Sequence, residues 1–221
     1  MIYLRLLSLA LVVGLTGCAT PAEQKFPAVT HDGLKLQPHT ALRAVYLKPG
    51  ADLSQYDSVA ILKPYVAFRK NWQRNYNEQA NFEARVSDKD MQKIRERIAT
   101  EFKKEFEEVL EKGGHKIVAD GGTGVLILRP AIIDLDVTAP DVMTPGMTTT
   151  FVASAGSMTL YMDLYDGKTQ AIIGRVIDPE AADDSGMMQV ADSVTNMADF
   201  DRIMRRWATI LNEHLAKMQK G

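Results

Sequence analysis

Two hydrophobic periods alternate along this chain, and their boundaries set out its elements. From residue 87 the apolar positions Met91, Ile94, Ile98, Phe102, Phe106, Val109 and Leu110 recur at spacings of three and four, which predicts a helix with one buried stripe. Ser87 stands where an N-cap belongs, and Asp88 and Asp90 suit the positive end. Gly113-Gly114 marks the stop. A second stripe, Phe200, Ile203, Trp207, Leu211, Leu215 and Met218, predicts a final helix capped at Asn196 or a neighbour, with Trp207 in the core. Between them the period falls to two. Met158, Leu160, Met162 and Leu164 point one way and Thr159, Tyr161, Asp163 and Tyr165 the other. Asp166-Gly167 then signals a hairpin whose returning strand runs from Ala171 to Ile177.

Shorter apolar runs complete the sheet. Ser58 to Val66 reads as a strand that Pro64 ends or bulges, Lys116 to Ala119 as a short strand, and Val125 to Val137 as one long strand or two interrupted at Pro130. Residues 31–56 carry turn chemistry in His31-Asp32-Gly33, Pro38 and Lys48-Pro49-Gly50, with Leu34, Leu36, Val45 and Leu47 alternating between. They predict an ordered arm that adds an edge strand. Residues 178–197 read as a polar loop. The order strand, helix, several strands, helix predicts an α+β fold: a mixed, mostly antiparallel sheet of about five strands with two amphipathic helices packed on one face. Should the strands flanking the first helix be parallel, their crossover is right-handed.

The N-terminus follows a different pattern. Arg5 precedes an apolar segment, Leu6 to Val13, that spans roughly 12–15 Å as a helix at ~1.5 Å per residue. A bilayer core needs ~30 Å, so the segment predicts a secretory signal rather than a membrane span. It ends in Leu15-Thr16-Gly17-Cys18, which holds the sole cysteine of the chain. That ending resembles the lipobox of bacterial lipoproteins, which implies lipid on the Cys18 thiol and cleavage before it. A lone thiol in an oxidising compartment cannot form an internal disulfide, and lipidation consumes it. Two or three acyl chains hold stably where one is marginal. The resemblance further implies, from Ala19 at the next position, delivery to the outer membrane. The expected organisation is a lipoprotein signal peptide at 1–17, a lipidated tether at 18–30 and a single α+β domain at 31–221. Pro21 and Pro27 keep the tether extended, and at ~3.3 Å per residue it reaches up to about 40 Å.

Composition adds little to this and excludes some classes. The chain has 26 basic and 28 acidic residues, and loss of Arg5 with the signal makes it slightly more acidic. No basic tract marks a nucleic-acid partner. No phosphate loop or dinucleotide glycine pattern is present, and no cofactor is implied. The four histidines, His31, His39, His115 and His214, lack zinc-ligand spacing, and His115, after the Gly-Gly stop, is expected to be exposed or capping. Asp134 and Asp136, two apart on a strand, face one side. This permits an ion site or an acid–base pair, although a solvated face is the commoner outcome. Ser154 and Ser157 lack the Gly-x-Ser-x-Gly elbow. Phe68 to Asn77 mixes aromatics, arginines and amides, the chemistry of a recognition surface. Its Trp72, Arg74 and Tyr76 are the candidate contacts for an envelope protein or a cell-wall glycan. Equally, Trp72 and Tyr76 could tuck into the domain as a clasp.

The stretches VYLKPGADLSQYDSVAILKPYVAFRKNWQRNYN, RVSDKDMQKIRE, LRPAIIDLDVTAPDVM, TFVASAGSMTLYMDLYD and SVTNMADFDRIMRRWA together resemble the bacterial lipoproteins grouped as domain of unknown function 3313. The resemblance implies an exported lipoprotein and no known activity. SVAILKP is also loosely similar to the first strand of the TolB amino-terminal domain, a fold-level analogy. The expected function is that of a membrane-anchored envelope lipoprotein facing the periplasm, a non-catalytic binding or assembly-accessory module. The alternative is a periplasmic hydrolase using carboxylates near Asp134 and Asp136.

Overall fold

A computed structural model describes residues 26–137, 155–181 and 193–219. In chain order the elements are β1 (Lys35–Leu36), β2 (Ala44–Leu47), β3 (Ser58–Ile61), β4 (Tyr65–Phe68), α1 (Trp72–Gln79), a 3₁₀ turn (Phe82–Ala84), α2 (Asp88–Lys112), β5 (Lys116–Val118), β6 (Val125–Val137), β7 (Ala155–Asp166), β8 (Ile172–Ala181) and α3 (Ser193–Gln219). The fold is α+β with a mixed, mostly antiparallel sheet, as the patterning predicts. The strand count is larger than the five expected. Eight strands lie in the order β1-β2-β8-β7-β6-β3-β5, and β4 pairs separately with β6. The arm contributes two of them, since β2 runs antiparallel to β8 and β1 to β2. Pro64 splits the first apolar run, giving β3 and then β4, both parallel to β6 and set one after the other along it.

Pro130 does not interrupt β6. It falls between Leu128, the last partner of β3, and Ala131, the first of β4. The Leu128 carbonyl accepts from the Leu62 amide, so by the two-residue alternation residue 130 faces this same changeover, where a missing N–H breaks no ladder.

One face of the sheet makes the main core. Leu126, Leu128 and Ile132 of β6, Met158 to Leu164 at alternate positions of β7, and Val176 of β8 pack there. The stripes of α2 and α3 cover them, with Phe102, Phe106, Leu110 and Trp207 essentially inaccessible. Ser87 caps α2 through a full capping box with Asp90, and Gly113 is its C-cap. The two long helices run in the same direction, since Arg205 meets Glu105 and, further along both, Asn212 abuts Gly113. A Cβ at Gly113 would stand 1.8 Å from the Asn212 Oδ1, so glycine there sets how closely the helices approach.

On the helix-free face the arm closes a smaller cluster of Leu34, Ala44 and Tyr46, with Phe26 packed against it. The Tyr46 hydroxyl donates to the Pro27 carbonyl. Arg175 is buried between Asp32 of the arm (Nη2 to Oδ2, 2.9 Å) and Asp163 of β7 (Nε to Oδ1, 2.6 Å), with its guanidinium over the Tyr161 ring. Among the described residues, packing of the arm reaches back to Phe26.

Three further expectations need correction. His115 is buried rather than exposed, while its backbone meets the capping alternative, its amide donating to the Leu110 carbonyl of α2. Burial lowers its pKa. The hairpin's second strand runs on to Ala181. Asp178, assigned to the loop, is instead a buried partner of the Trp207 indole (Nε1 to Oδ2, 2.8 Å) and of the Arg43 amide (2.7 Å). Finally, α3 begins at Ser193, so the expected cap Asn196 and the last residues of the expected loop lie inside the helix; the polar stretch after β4 also contributes a helix, α1. The remainder of the expected loop at 182–192 lies outside the described residues, as do Cys18 and Ser154.

Candidate functional site: a basic groove beside an open strand

The aromatic stretch builds a ledge at one end of the sheet. Asn71 takes a left-handed conformation (φ 61°) and turns the chain from β4 into α1. Trp72 then drops into the core, 6% exposed. Its indole donates to the Val137 carbonyl at 3.2 Å, and its ring stacks between Phe68 and Tyr76 at centroid distances of 4.6 and 5.4 Å. Burial raises the Tyr76 pKa. The amides of α1 serve the fold as well. Asn77 exchanges two hydrogen bonds with the Val86 backbone, and Gln73 reaches Val86 and Asp88. Trp72 and Tyr76 therefore form the clasp that the sequence allowed, and Arg74 is the candidate contact left exposed, 3.8 Å from Glu78.

Between this ledge, β4 and the first half of α2 lies an open groove of about 780 Å³. Its charged lining is Lys63, Arg69, Lys70, Arg74 and Arg95 against the single acid Glu96. Arg69 is held at its base, paired to Asp136 at 2.7 Å and donating to the Ser157 hydroxyl at 2.9 Å. The Arg95 guanidinium lies 5.4 Å from the Phe68 ring centroid. Lys63, Lys70 and Arg95 have no acidic partner among the described residues. Tyr65 is 66% exposed beside them. Of the candidate contacts in the Phe68 to Asn77 stretch, Trp72 and Arg74 line this groove, Trp72 from its buried position and Arg74 from an exposed one. Lys70 lies within that stretch but not among the candidate contacts, and the sequence does not single out Lys63, Tyr65 or Arg95: the first two lie in a run that reads simply as a strand. Arg95 lies on the polar face of α2, which reads as solvated.

Asp134 and Asp136 do not form a flat carboxylate pair. Asp134 has φ 51° and bulges from β6, where the register with β7 skips from Ile133 to Asp136. It is exposed, while Asp136 is engaged by Arg69. Among the described residues no three His, Cys, Asp or Glu side chains gather as a metal site. No described helix is long and apolar enough to cross a membrane.

The class these features define is an α+β domain with a helix-covered sheet and a polar, basic groove at one edge. The chain belongs to the family described as Protein of unknown function (DUF3313), whose model matches residues 27–211. Among curated proteins no sequence matches. Solved structures with partial likeness include the PelC dodecamer from Paraburkholderia phytofirmans, at 10% identity and TM-score 0.38, covering 75% of this chain and 96% of that one. Protein XCC0632 from Xanthomonas campestris aligns at 12% identity and TM-score 0.41, over 75% and 86%. A candidate lipoprotein from Caulobacter crescentus CB15 aligns at 13% and 0.32, over 75% and 90%. Scores of this size carry no functional argument.

Proposed function

We propose that the protein is a lipid-anchored lipoprotein of the bacterial cell envelope, facing the periplasm from the outer membrane. In this reading it is a non-catalytic binding or assembly-accessory module. The lipobox-like Leu15-Thr16-Gly17-Cys18 after a short apolar run supports the anchor, with residues 1–17 as the signal and the tether beginning at Cys18. The single observation that supports a binding role is the groove, where Lys63, Lys70 and Arg95 lie without an acidic partner among the described residues beside an exposed tyrosine. Charge left unneutralised on a concave surface favours an oppositely charged partner.

Two measurements test the reading. The intact mass of the mature protein is expected to begin at Cys18 and to include the added lipid, and Cys18→Ser is expected to release the protein from membranes. A mature protein that starts elsewhere, without lipid, refutes the anchor. For the groove, a photo-crosslinking residue at position 74 is expected to trap a discrete envelope partner in cells, while one at exposed position 120 does not. Equal, diffuse labelling from both positions refutes a partner surface.

A further inference from the structure

The groove is lined by more than side chains, because one wall of it is the outer edge of β4. β4 pairs only with β6. Its parallel register, Val66 opposite Ile132 and Phe68 opposite Leu135, fixes which backbone groups are used. Residue 132 shares the phase of Leu128, whose carbonyl faces this side of β6, and in a parallel ladder such a residue bonds the neighbours of its partner. Residues 65 and 67 therefore turn toward β6, as does Arg69, whose amide donates to the Leu135 carbonyl. Val66 and Phe68 turn the other way. Their amides and carbonyls have no hydrogen-bond partner among the described residues.

An unpaired strand edge is a template for another strand. Of the two ends of the sheet path, β1 is already bridged by Val29 on its outer side, and the edge of β5 does not border the groove. At β4 the unpaired backbone, the cavity and the basic lining coincide, with Phe68 half-buried and Val66 6% exposed. Lys63 and Pro64 before the strand and Lys70 after it are the residues that discourage pairing with a like edge. A second copy would bring the same lysines into register or close to it, so like charge argues against self-pairing. An acid-rich strand meets no such barrier.

We infer that β4 accepts an extended, acid-rich peptide segment of a partner protein by strand addition. Main-chain hydrogen bonds to Val66 and Phe68 hold it, while its carboxylates reach Lys63, Lys70 and Arg95. Backbone pairing supplies affinity in this mode and side-chain positions supply selectivity. Tyr65 offers exposed ring area to an apolar residue at an intervening position. The inference rests on the groove being the partner surface, and it goes further by naming the occupant and the bonds it makes.

The test uses the mature protein and a fluorescein-labelled nine-residue peptide alternating valine and glutamate. Anisotropy is expected to show saturable binding, at least tenfold weaker when every backbone amide of the peptide is methylated and when lysine replaces glutamate. Hydrogen exchange at the Val66 and Phe68 amides is expected to slow on binding. Arg95→Glu is expected to weaken binding at least tenfold with an unchanged melting temperature. The methylation and exchange results need no variant. Absence of binding by the acidic peptide, equal binding of its methylated form, or unchanged exchange at both amides would each overturn strand addition. So would polygalacturonate or phosphatidylglycerol vesicles binding without slowed exchange, which would make the groove a simple anion site. A discrete crosslink from position 74 together with any of these results would leave the partner surface standing and remove only the mode of binding.

Discussion

Trp72 and Arg74 stand two residues apart and have opposite roles. Trp72→Ala removes a buried ring and leaves the Val137 carbonyl without its donor. Thermal or urea unfolding is expected to register a loss of about 3–5 kcal/mol. Arg74→Ala touches only an exposed 3.8 Å ion pair and is expected to stay within about 0.5 kcal/mol of wild type. Equal stability of the two variants would mean that the clasp is not formed. Asp166 provides a second test at this scale. It accepts from the Thr169 amide and hydroxyl, the Tyr56 hydroxyl and the Lys168 amide. Those donors, led by Thr169, bring its carboxyl down to about 2 from 3.8. A depressed folded-state pKa contributes stability above the unfolded value and loses it as pH falls through the folded one. The stability gap between wild type and Asp166→Ala is therefore expected to be constant above pH 4 and to shrink between about pH 4 and 2. Urea titrations at several pH values measure it, and a gap that widens on acidification would contradict the assigned hydrogen bonds.

At the scale of elements, the long helices were legible because burial imposed a period that no other structure shares. Ile98 is 2% exposed at the centre of the α2 stripe, and Lys103 pairs on the outer face with Glu107 at 3.6 Å. Ile98→Asp buries a carboxylate without a partner and is expected to cost several kcal/mol, out of a typical total of ~5–15. Lys103→Asp is expected to leave the melting temperature within a few degrees. Indistinguishable melting curves would refute the helix phase. The β7–β8 hairpin was legible for the same reason, with a period of two and an Asp-Gly turn. Elements held by other means were not. α1 has Trp72 as its one buried residue and is fastened by amide side chains to the Val86 backbone, so it carries no stripe. β1, β2 and β4 are two to four residues long, too short for a periodicity test, so the arm's contribution of an edge strand and the break at Pro64 were legible but not the separate strands they make. The groove inherits this blindness, since it is assembled from β4, the turn into α1 and the polar face of α2. The bulge at Asp134 was equally hidden, as nothing in the Ile-Ile-Asp-Leu-Asp sequence announces a positive φ.

Across the whole molecule, the arm and the groove lie at opposite ends of one hydrogen-bonded path. The arm enters at β1, and the path runs through β2, β8, β7 and β6 to β4. That is five strand spacings, roughly 24 Å at ~4.8 Å each. If the chain is anchored through Cys18 and a partner pairs with β4, any tension between membrane and partner is transmitted across the sheet, through every ladder in turn. The arm's fastening then matters mechanically. Asp32, buried Arg175 and Asp163 tie the entering chain to β8 and β7, so a pull on the tether is shared by an ion-pair clamp and by the β2–β8 ladder before it reaches the core strands.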